Sequence, residues 1–279
     1  MTEKKFGIIG KPLSHSLSPQ LHNFWFKKYN IKATYSLIET EVDQIGEVIN
    51  NIKKKKLHGI NVTTPYKQTV IPYLDLIIND AQETTSVNTI YLNSDNKVTG
   101  ENTDVYGFNN SFIKKLKNKD LLKKKILILG AGGVTPSLIC ALIKKNVNKI
   151  FICNRTIEKA EIIKKKFPLI EIIPWENIDK KTEDMDIIIN ATSLGMKNGD
   201  GFAQPIKNFK PELVYYDVIY NPLETLMLKN FKNQKIKSFN GLEMFLYQGQ
   251  KSFYLWNNIN PEINEELKKI IISNLKRKL

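Results

Sequence analysis

The stretch Ile126-Leu127-Ile128-Leu129, followed by Gly130-Ala131-Gly132-Gly133, decides the fold of the region around it. Four consecutive apolar residues predict a buried strand, and the glycines predict a tight turn that opens a helix. Thr135 stands where a third glycine is usual, and Pro136 suits a first helical turn because its missing N–H costs little there. Dinucleotide-binding domains use this layout to bring a pyrophosphate onto helix N–H groups. Taken alone, it fits an ordinary strand-to-helix loop equally well.

The next predicted strand, 150–153, ends in Asn154-Arg155-Thr156. NAD-selective proteins place an acidic residue at this strand end to bind the ribose hydroxyls, whereas here a cation replaces the acid. Arginine occurs at only one other position of this lysine-rich chain. Its planar fork pairs with a 2′-phosphate, Lys159 follows one turn along the next helix, and Thr156 is expected to cap that helix. We therefore predict NADP rather than NAD, and the alternative is a surface arginine at a strand end.

The segments before this region alternate between strand-like and helix-like patterns, which predicts an α/β fold. Residues 6–10, 33–39 and 59–63 are expected to form strands, and 87–92 with 97–100 a hairpin. Ser18 before Pro19 has the chemistry of an N-cap followed by a first-turn proline.

The length of 279 residues favours two domains. We expect an N-terminal α/β substrate domain over 1–104 and a Rossmann-like NADP-binding domain over 105–240. Residues 241–279 should complete the first domain, because 242–256 and 261–278 show apolar residues at helical spacing. We expect these C-terminal helices to pack back on the first domain.

The formal net charge of +14 raises the question of a nucleic-acid partner. Lysines cluster at 53–56, 114–125 and 164–166, on the solvent faces of predicted helices, without interleaved aromatic residues that would stack on bases. We therefore expect no nucleic-acid partner. A non-catalytic relative that senses NADP or binds nucleic acid is the alternative that the charge leaves open.

Cysteine and histidine usage argues against metal chemistry. Cys140 and Cys153 lie in apolar surroundings and should be buried and reduced, and His15, His22 and His58 lack metal-site spacing. No stretch approaches the about 20 apolar residues of a membrane span, and no signal-peptide core precedes the first predicted strand. We expect a cytoplasmic protein without a metal or a membrane partner.

Three polar clusters, at 14–19, 61–67 and 101–104, follow predicted strands. Ligand-binding groups in α/β sheets gather at the carboxyl ends of strands, so we expect the clusters to converge. Reduction of a ketone needs a proton donor, and Lys67 held by the Asp104 carboxylate would supply one. The alternatives are helix capping for the serines and Asp104, and a solvated charge for Lys67.

These segments together closely resemble the shikimate dehydrogenase family over essentially the whole chain. The first half contributes Ser14-His15-Ser16-Leu17-Ser18-Pro19, Asn61-Val62-Thr63-Thr64-Pro65-Tyr66-Lys67, Val87-Asn88-Thr89 and Gly100-Glu101-Asn102-Thr103-Asp104. The second half contributes Gly130-Ala131-Gly132-Gly133, Asn154-Arg155-Thr156, Asn190-Ala191-Thr192-Ser193, Tyr216-Asp217-Val218-Ile219-Tyr220-Asn221-Pro222 and Gly241-Leu242-Glu243-Met244 leading to Gln248. Several motifs in the right order are far more specific than a glycine loop.

The resemblance implies a reversible, NADP-dependent reduction of 3-dehydroshikimate to shikimate, in the chorismate route to aromatic amino acids. It implies that Lys67 and Asp104 are the catalytic pair. The implied substrate contacts are Ser16, Ser18, Thr63, Asn88, Asp104, Gln248 and, near the substrate carboxylate, Tyr220. The implied cofactor contacts are Gly130, Ala131, Gly132, Gly133, Val134, Asn154, Arg155, Thr156, Lys159, Val218 and Gly241. Members of this family are monomers or homodimers.

A neighbouring branch, the quinate/shikimate dehydrogenases, tolerates an extra ring hydroxyl and tends to use NAD. Arg155-Thr156 favours the NADP-dependent branch. Two departures from the family pattern stand out: Thr64 replaces a more usual aliphatic residue, and Val134-Thr135-Pro136 replaces the commoner small residues after the glycines. We expect the second departure to alter cofactor affinity rather than cofactor identity.

Overall fold

The computed structural model describes residues 3–116, 121–196, 206 and 208–277, and the chain divides into two compact units. The first unit comprises Met1–Gly107 and Leu246–Leu279, and the second comprises Phe108–Phe245. The chain leaves the first unit within the helix Asp104–Ser111 and returns to it within the helix Leu242–Asn257.

The first unit contains a six-stranded mixed sheet. Its strands are β1 (Lys4–Gly10), β2 (Ala33–Glu39), β3 (Gly59–Val62), β4 (Leu76–Ile77), β5 (Thr89–Leu92) and β6 (Val98–Glu101). The order is β2-β1-β3-β5-β6-β4. β1 pairs in parallel with β2 and β3, whereas β5 is antiparallel to β3 and β6. The predicted hairpin is confirmed as β5 and β6.

Six described helices lie wholly or partly in the first unit. They are α1 (Ser18–Lys28), α2 (Ile45–Lys53), α3 (Asp80–Thr84), α4 (Asp104–Ser111), α9 (Leu242–Asn257) and α10 (Glu265–Arg277). α10 packs against α1, and the Trp25 indole donates to the Glu262 carbonyl oxygen at 3.0 Å. The prediction that the C-terminal helices pack back on the first domain is confirmed.

The N-cap of α1 and the start of α10 differ from the prediction. α1 begins at Ser18 itself, because the Ser16 hydroxyl, and not that of Ser18, accepts the hydrogen bond from the Ser18 N–H at 3.3 Å. α10 begins four residues later than expected, because the Asn264 side chain accepts from the Leu267 N–H at 3.0 Å and caps the helix there. In both cases a nearby side chain satisfies a free N–H of the first helical turn.

The second unit contains a six-stranded parallel sheet. Its strands are β7 (Lys125–Leu129), β8 (Lys149–Cys153), β9 (Glu171–Ile172), β10 (Ile187–Asn190), β11 (Val214–Asp217) and β12 (Lys237–Phe239). The order β12-β11-β10-β7-β8-β9 places the first strand of the unit at the centre, as in Rossmann domains. Its helices are α5 (Thr135–Ile143), α6 (Ile157–Lys166), α7 (Ile178–Thr182) and α8 (Leu226–Asn233). The predicted Rossmann-like domain is confirmed.

Both cysteines lie in the core of the second unit as free thiols, as predicted. Burial raises the pKa of Cys153 to about 12, so its reactive thiolate is scarce at neutral pH. Of the lysine-rich stretch, residues 117–120 lie outside the described residues, and short 3-10 turns occupy 113–116 and 121–123. Among the residues that the structure describes, no helix combines the length and apolarity needed to cross a membrane.

Candidate active site

The first unit brings Lys67 and Asp104 into direct contact. Lys67 lies in the loop after β3, and Asp104 is the first residue of α4. The Lys67 Nζ donates to the Asp104 Oδ2 at 2.5 Å, and the two side chains are only 12% and 8% exposed. A buried ammonium next to a buried carboxylate compensates the loss of hydration of both charges.

The second oxygen of Asp104 is also held. The Asn88 Nδ2 donates to the Asp104 Oδ1 at 2.9 Å. The Asn88 Oδ1 accepts from the Thr103 N–H at 2.8 Å, and also from the Thr103 and Thr89 hydroxyls. The start of α4 is capped by Asn102, whose Oδ1 accepts from the Asp104 N–H at 3.0 Å. The Asp104 carboxylate is therefore not a helix cap but faces Lys67 and Asn88.

The hydroxyl residues predicted to bind substrate follow the ends of neighbouring strands. Ser16 and Ser18 lie in the segment after β1, with their hydroxyl oxygens 3.2 Å apart. Thr63 directly follows β3, which pairs with β1. Its methyl group would lie 2.4 Å from a Cβ at Gly10, so glycine is required for this close approach. The parallel pairing of β1 and β3 thus places these residues at the same sheet edge.

Helix α9 carries Gln248, a further predicted substrate contact, and joins the polar cluster through Ser252. The fully buried Ser252 Oγ lies 3.0 Å from the Gln248 carbonyl oxygen and 2.8 Å from the Thr89 Oγ1, within hydrogen-bond distance of both. It also accepts from the Asn61 Nδ2 at 3.0 Å. The sequence analysis missed Ser252. Its position one helical turn after Gln248, on the same face of α9, is the signal that would have found it.

The second unit holds the glycine turn between β7 and α5. Gly130 has a φ of +107°, and a Cβ there would lie 2.9 Å from the Thr192 methyl carbon, so both backbone and space require glycine. The Gly130 N–H donates to the Cys153 carbonyl oxygen at 2.7 Å. The Thr135 hydroxyl donates to the Gly130 carbonyl oxygen at 2.9 Å. The residue that replaces the third glycine therefore holds the turn in place.

Asn154 links the glycine turn to the segment that carries Arg155. Its Oδ1 accepts from the Ala131 N–H at 3.0 Å, and its Nδ2 donates to the Thr156 carbonyl oxygen at 2.7 Å. Arg155 and Lys159 are exposed at this end of β8. Thr156 occupies the N-cap position of α6, but its side chain makes no capping hydrogen bond, so the prediction of a hydroxyl cap is wrong. Asn154 orders this turn instead.

Asp217, at the end of β11, organises the loop that follows it. Its buried carboxylate accepts from the Ile219 N–H, the Asn190 amide and the hydroxyls of Thr225 and Tyr215, at 2.8 to 3.1 Å. Burial raises the pKa of Asp217 to about 6, and these hydrogen bonds oppose the rise. The loop conformation thus depends on one carboxylate.

The predicted contacts Val218, Tyr220 and Gly241 lie in or against this loop. The Gly241 N–H donates to the Ile219 carbonyl oxygen at 3.0 Å. A Cβ at Gly241 would lie 2.0 Å from the Val218 carbonyl oxygen, so no other residue permits this contact. The Tyr220 ring stacks on Phe245, with centroids 4.4 Å apart. The second unit therefore brings these three predicted contacts together.

Comparison with known proteins gives a consistent result. The family model described as "Shikimate dehydrogenase substrate binding domain" matches residues 8–90, and the one described as "Shikimate / quinate 5-dehydrogenase" matches residues 113–196. The shikimate dehydrogenase (NADP(+)) of Pelagibacter ubique is 48% identical over 264 residues, which cover 95% of this chain and 97% of that protein.

Solved structures agree over the full length. A shikimate dehydrogenase in complex with NADP+ is 35% identical, with a TM-score of 0.88 over 98% of this chain and 96% of that one. The Thermus thermophilus enzyme in complex with NADP(H) and shikimate is 27% identical, with a TM-score of 0.83 over 99% of this chain and 100% of that one. On these grounds the chain belongs to the shikimate dehydrogenase family.

Proposed function

We propose that this protein is an NADP-dependent shikimate dehydrogenase, which interconverts 3-dehydroshikimate and shikimate in the biosynthesis of aromatic amino acids. Its family membership and the buried Lys67–Asp104 pair support this proposal most directly. A lysine held by a carboxylate, among hydroxyl and amide side chains, suits a small polyhydroxylated anion better than an apolar ligand.

The residues of the second unit fit NADP. A side chain at Gly130 would collide with the Thr192 methyl group and the Ala191 backbone, so the tight turn itself requires glycine. A glycine turn that opens a helix is the layout that brings a pyrophosphate onto helix N–H groups. Arg155 and Lys159 are exposed cations at the end of β8, where NAD-binding proteins carry an acidic residue. We propose that they hold the 2′-phosphate, while the turn at 130–134 holds the pyrophosphate and the Val218 and Gly241 backbone borders the nicotinamide.

When bound, NADPH supplies the hydride that adds to the ketone carbon of the substrate. The Lys67 ammonium is proposed to donate its proton to the ketone oxygen as that oxygen becomes a hydroxyl. Asp104 holds the Lys67 Nζ in place and accepts a hydrogen bond from the neighbouring ring hydroxyl with a remaining lone pair. In the reverse direction, neutral Lys67 takes the hydroxyl proton.

The remaining predicted contacts account for the other polar groups of the substrate. We propose that the hydroxyls of Ser16 and Ser18 bind the substrate carboxylate with Tyr220. Thr63, Asn88 and Gln248 would bind ring hydroxyls, because a hydroxyl or an amide both donates and accepts. A site built to pair each oxygen rejects analogues that leave one of its own groups unpaired.

Rates with four pairs of reactants test this assignment: shikimate or quinate, each with NADP+ or NAD+. The proposal predicts by far the highest kcat/KM for shikimate with NADP+. Comparable kcat/KM for quinate with NAD+ would assign the protein to the quinate/shikimate branch instead. Absence of turnover with every pair, together with salt-sensitive DNA binding, would favour the non-catalytic alternative.

We further propose that the protein works in the cytoplasm, as a monomer or a homodimer, without a nucleic-acid, membrane or metal partner. The family resemblance supports the proposed oligomeric state, and the need for NADPH in biosynthesis supports the proposed location. Sedimentation velocity at micromolar concentration tests the oligomeric state, and a species larger than a dimer would contradict it. Cell fractionation tests the location.

A further inference from the structure

A chain of buried hydrogen bonds ends on Asp104. The Tyr35 hydroxyl donates to the Asn61 Oδ1 at 2.8 Å, and the Asn61 Nδ2 donates to the Thr89 Oγ1 at 3.2 Å. The Thr89 hydroxyl in turn donates to the Asn88 Oδ1 at 3.0 Å, and the Asn88 Nδ2 donates to the Asp104 Oδ1 at 2.9 Å. All five residues are buried.

The orientation of the Asn88 amide in this chain is fixed by its partners on both sides. A carboxylate only accepts hydrogen bonds, so the Asn88 group that faces Asp104 must be the amide N–H₂. The opposite edge of the amide must then be the acceptor, as its contact with the Thr103 N–H requires. A reversed amide would set oxygen against oxygen at Asp104 and donor against donor at Thr103. The side chain is symmetric in shape, so only these partners decide its orientation.

Thr89 is the member that connects the strands to α9. Its hydroxyl is fully buried, and its oxygen lies 2.8 Å from the Ser252 Oγ in addition to its contact with Asn61. The Asn61 amide occupies the Thr89 oxygen as an acceptor, which leaves the Thr89 proton free to point at Asn88. Thr89 and Ser252 are separated by 163 positions in the chain, so the contact exists only in the folded first unit.

We propose that Thr89 is a positioning residue, supported by Ser252, that acts together with Thr103 to hold the Asn88 amide in the orientation that donates to Asp104. The inference rests on the proposed function of Lys67 and Asp104. With one carboxylate oxygen held by Asn88, the other is left to hold the Lys67 ammonium. Removal of the Thr89 hydroxyl would leave the Asn88 oxygen with the Thr103 N–H and hydroxyl as its remaining donors, so the amide and the carboxylate that it holds would be aligned less tightly.

Thr89→Val tests this, because valine keeps the shape of threonine and removes the hydroxyl. We expect kcat for shikimate oxidation to fall about 10-fold, since small losses of alignment cost large factors in rate. The KM for NADP+ should stay within about twofold, because the glycine turn belongs to the other unit. Thr89→Ser restores a hydroxyl and should restore most of kcat. Thr99→Val is the matched control, since Thr99 is a buried strand threonine whose hydroxyl donates to the Lys97 carbonyl oxygen, away from Asn88.

A double-mutant cycle with Asn88→Ala decides whether Thr89 acts through Asn88. The inference predicts that Thr89→Val lowers kcat in the wild-type background and changes it less than twofold when Asn88 is already alanine. Ser252→Ala should show a smaller loss with the same dependence on Asn88, and it serves if Thr89→Val does not fold. Calorimetric titration with shikimate should show weaker binding for Thr89→Val but not for Thr99→Val.

Three results would overturn the inference: equal losses with and without Asn88, equal losses for Thr89→Val and Thr99→Val, or no recovery with Thr89→Ser. Failure of the proposed function itself looks different. In that case the wild-type protein would not oxidise shikimate with NADP+ at all, before any variant is compared.

Discussion

Lys67 Nζ and Asp104 Oδ2 lie 2.5 Å apart, in a contact that is almost closed to solvent. The contact joins a loop after β3 to the first residue of α4, 37 positions later in the chain. A lysine in such a place has a fixed direction for its proton, which is the requirement for a general acid.

Lys67→Ala should remove most of the turnover and leave shikimate affinity within a few-fold of wild type. The substitution deletes a proton donor, and general acids contribute about 10²- to 10⁴-fold to rate. Steady-state kinetics and calorimetric titration measure the two effects. Lys56→Ala, at an exposed lysine of the same unit, is the matched control. Near-normal kcat in Lys67→Ala would remove Lys67 from the mechanism.

Arg155→Ala should raise the KM for NADP+ by about 10- to 100-fold, because it removes the binding free energy of a charge-assisted hydrogen bond to a phosphate. The KM for NAD+ should change far less, because NAD+ lacks the 2′-phosphate. Lys165→Ala, on the exposed side of α6, controls for the loss of one positive charge. Equal losses with both cofactors would mean that Arg155 supports the loop rather than the phosphate.

Gly241→Ala should weaken NADP+ binding and lower the unfolding temperature, because the new Cβ would lie 2.0 Å from the Val218 carbonyl oxygen and force the loop apart. Gly132→Ala offers a contrast. Its Cβ would meet only the Ala191 carbonyl oxygen, at 3.9 Å, so its unfolding temperature should match that of wild type. Differential scanning calorimetry distinguishes the two, and an unchanged Gly241→Ala would show that the loop yields without cost.

The protonation of Asp217 should make the free energy of unfolding depend on pH. Its pKa of about 6 in the folded protein lies above the ordinary value of 3.8, so below pH 6 the folded state takes up a proton that the unfolded state does not. The Asp217 contribution to the free energy of unfolding therefore increases as the pH falls from 7 to 4, by up to about 3 kcal/mol.

Asp217→Asn removes this titration while keeping the shape of the side chain. Urea unfolding of both proteins at pH 7 and pH 4.5 should show the stability of wild type rising relative to the variant toward the lower pH. A difference that does not vary with pH would mean that Asp217 has an ordinary pKa. Independently of pH, the variant should be less stable, because an amide cannot accept all four hydrogen bonds.

The sequence predicted the elements whose signal is local. The apolar run 126–129 and the glycine turn after it identified the central strand and its loop, and the position of Arg155 followed from the next strand. The N-cap of α1 and the start of α10 were misplaced, because Ser16 and Asn264, and not the expected residues, accept hydrogen bonds from N–H groups of the first helical turns.

Contacts between distant segments of the chain could not be predicted from the sequence. The spacing of Ser252 from Gln248 marks it as a residue of the same helix face, but its contact with Thr89 could not be predicted, because that contact depends on the return of α9 to the first unit. The sequence motif included Asp217 but did not indicate its hydrogen bonds. The four donors to its carboxylate are one backbone N–H and three side chains, which come from different segments of the second unit. Tertiary packing determines which groups hydrogen-bond to such buried side chains, and local sequence patterns do not encode that packing.

The most direct test of the central claim is to mix the purified protein with 3-dehydroshikimate and NADPH, and to follow NADPH absorbance and shikimate formation together. We expect NADPH to be consumed in a one-to-one ratio with the shikimate produced, and Lys67→Ala to be nearly inactive. Folded wild-type protein that binds NADPH but forms no shikimate would contradict it.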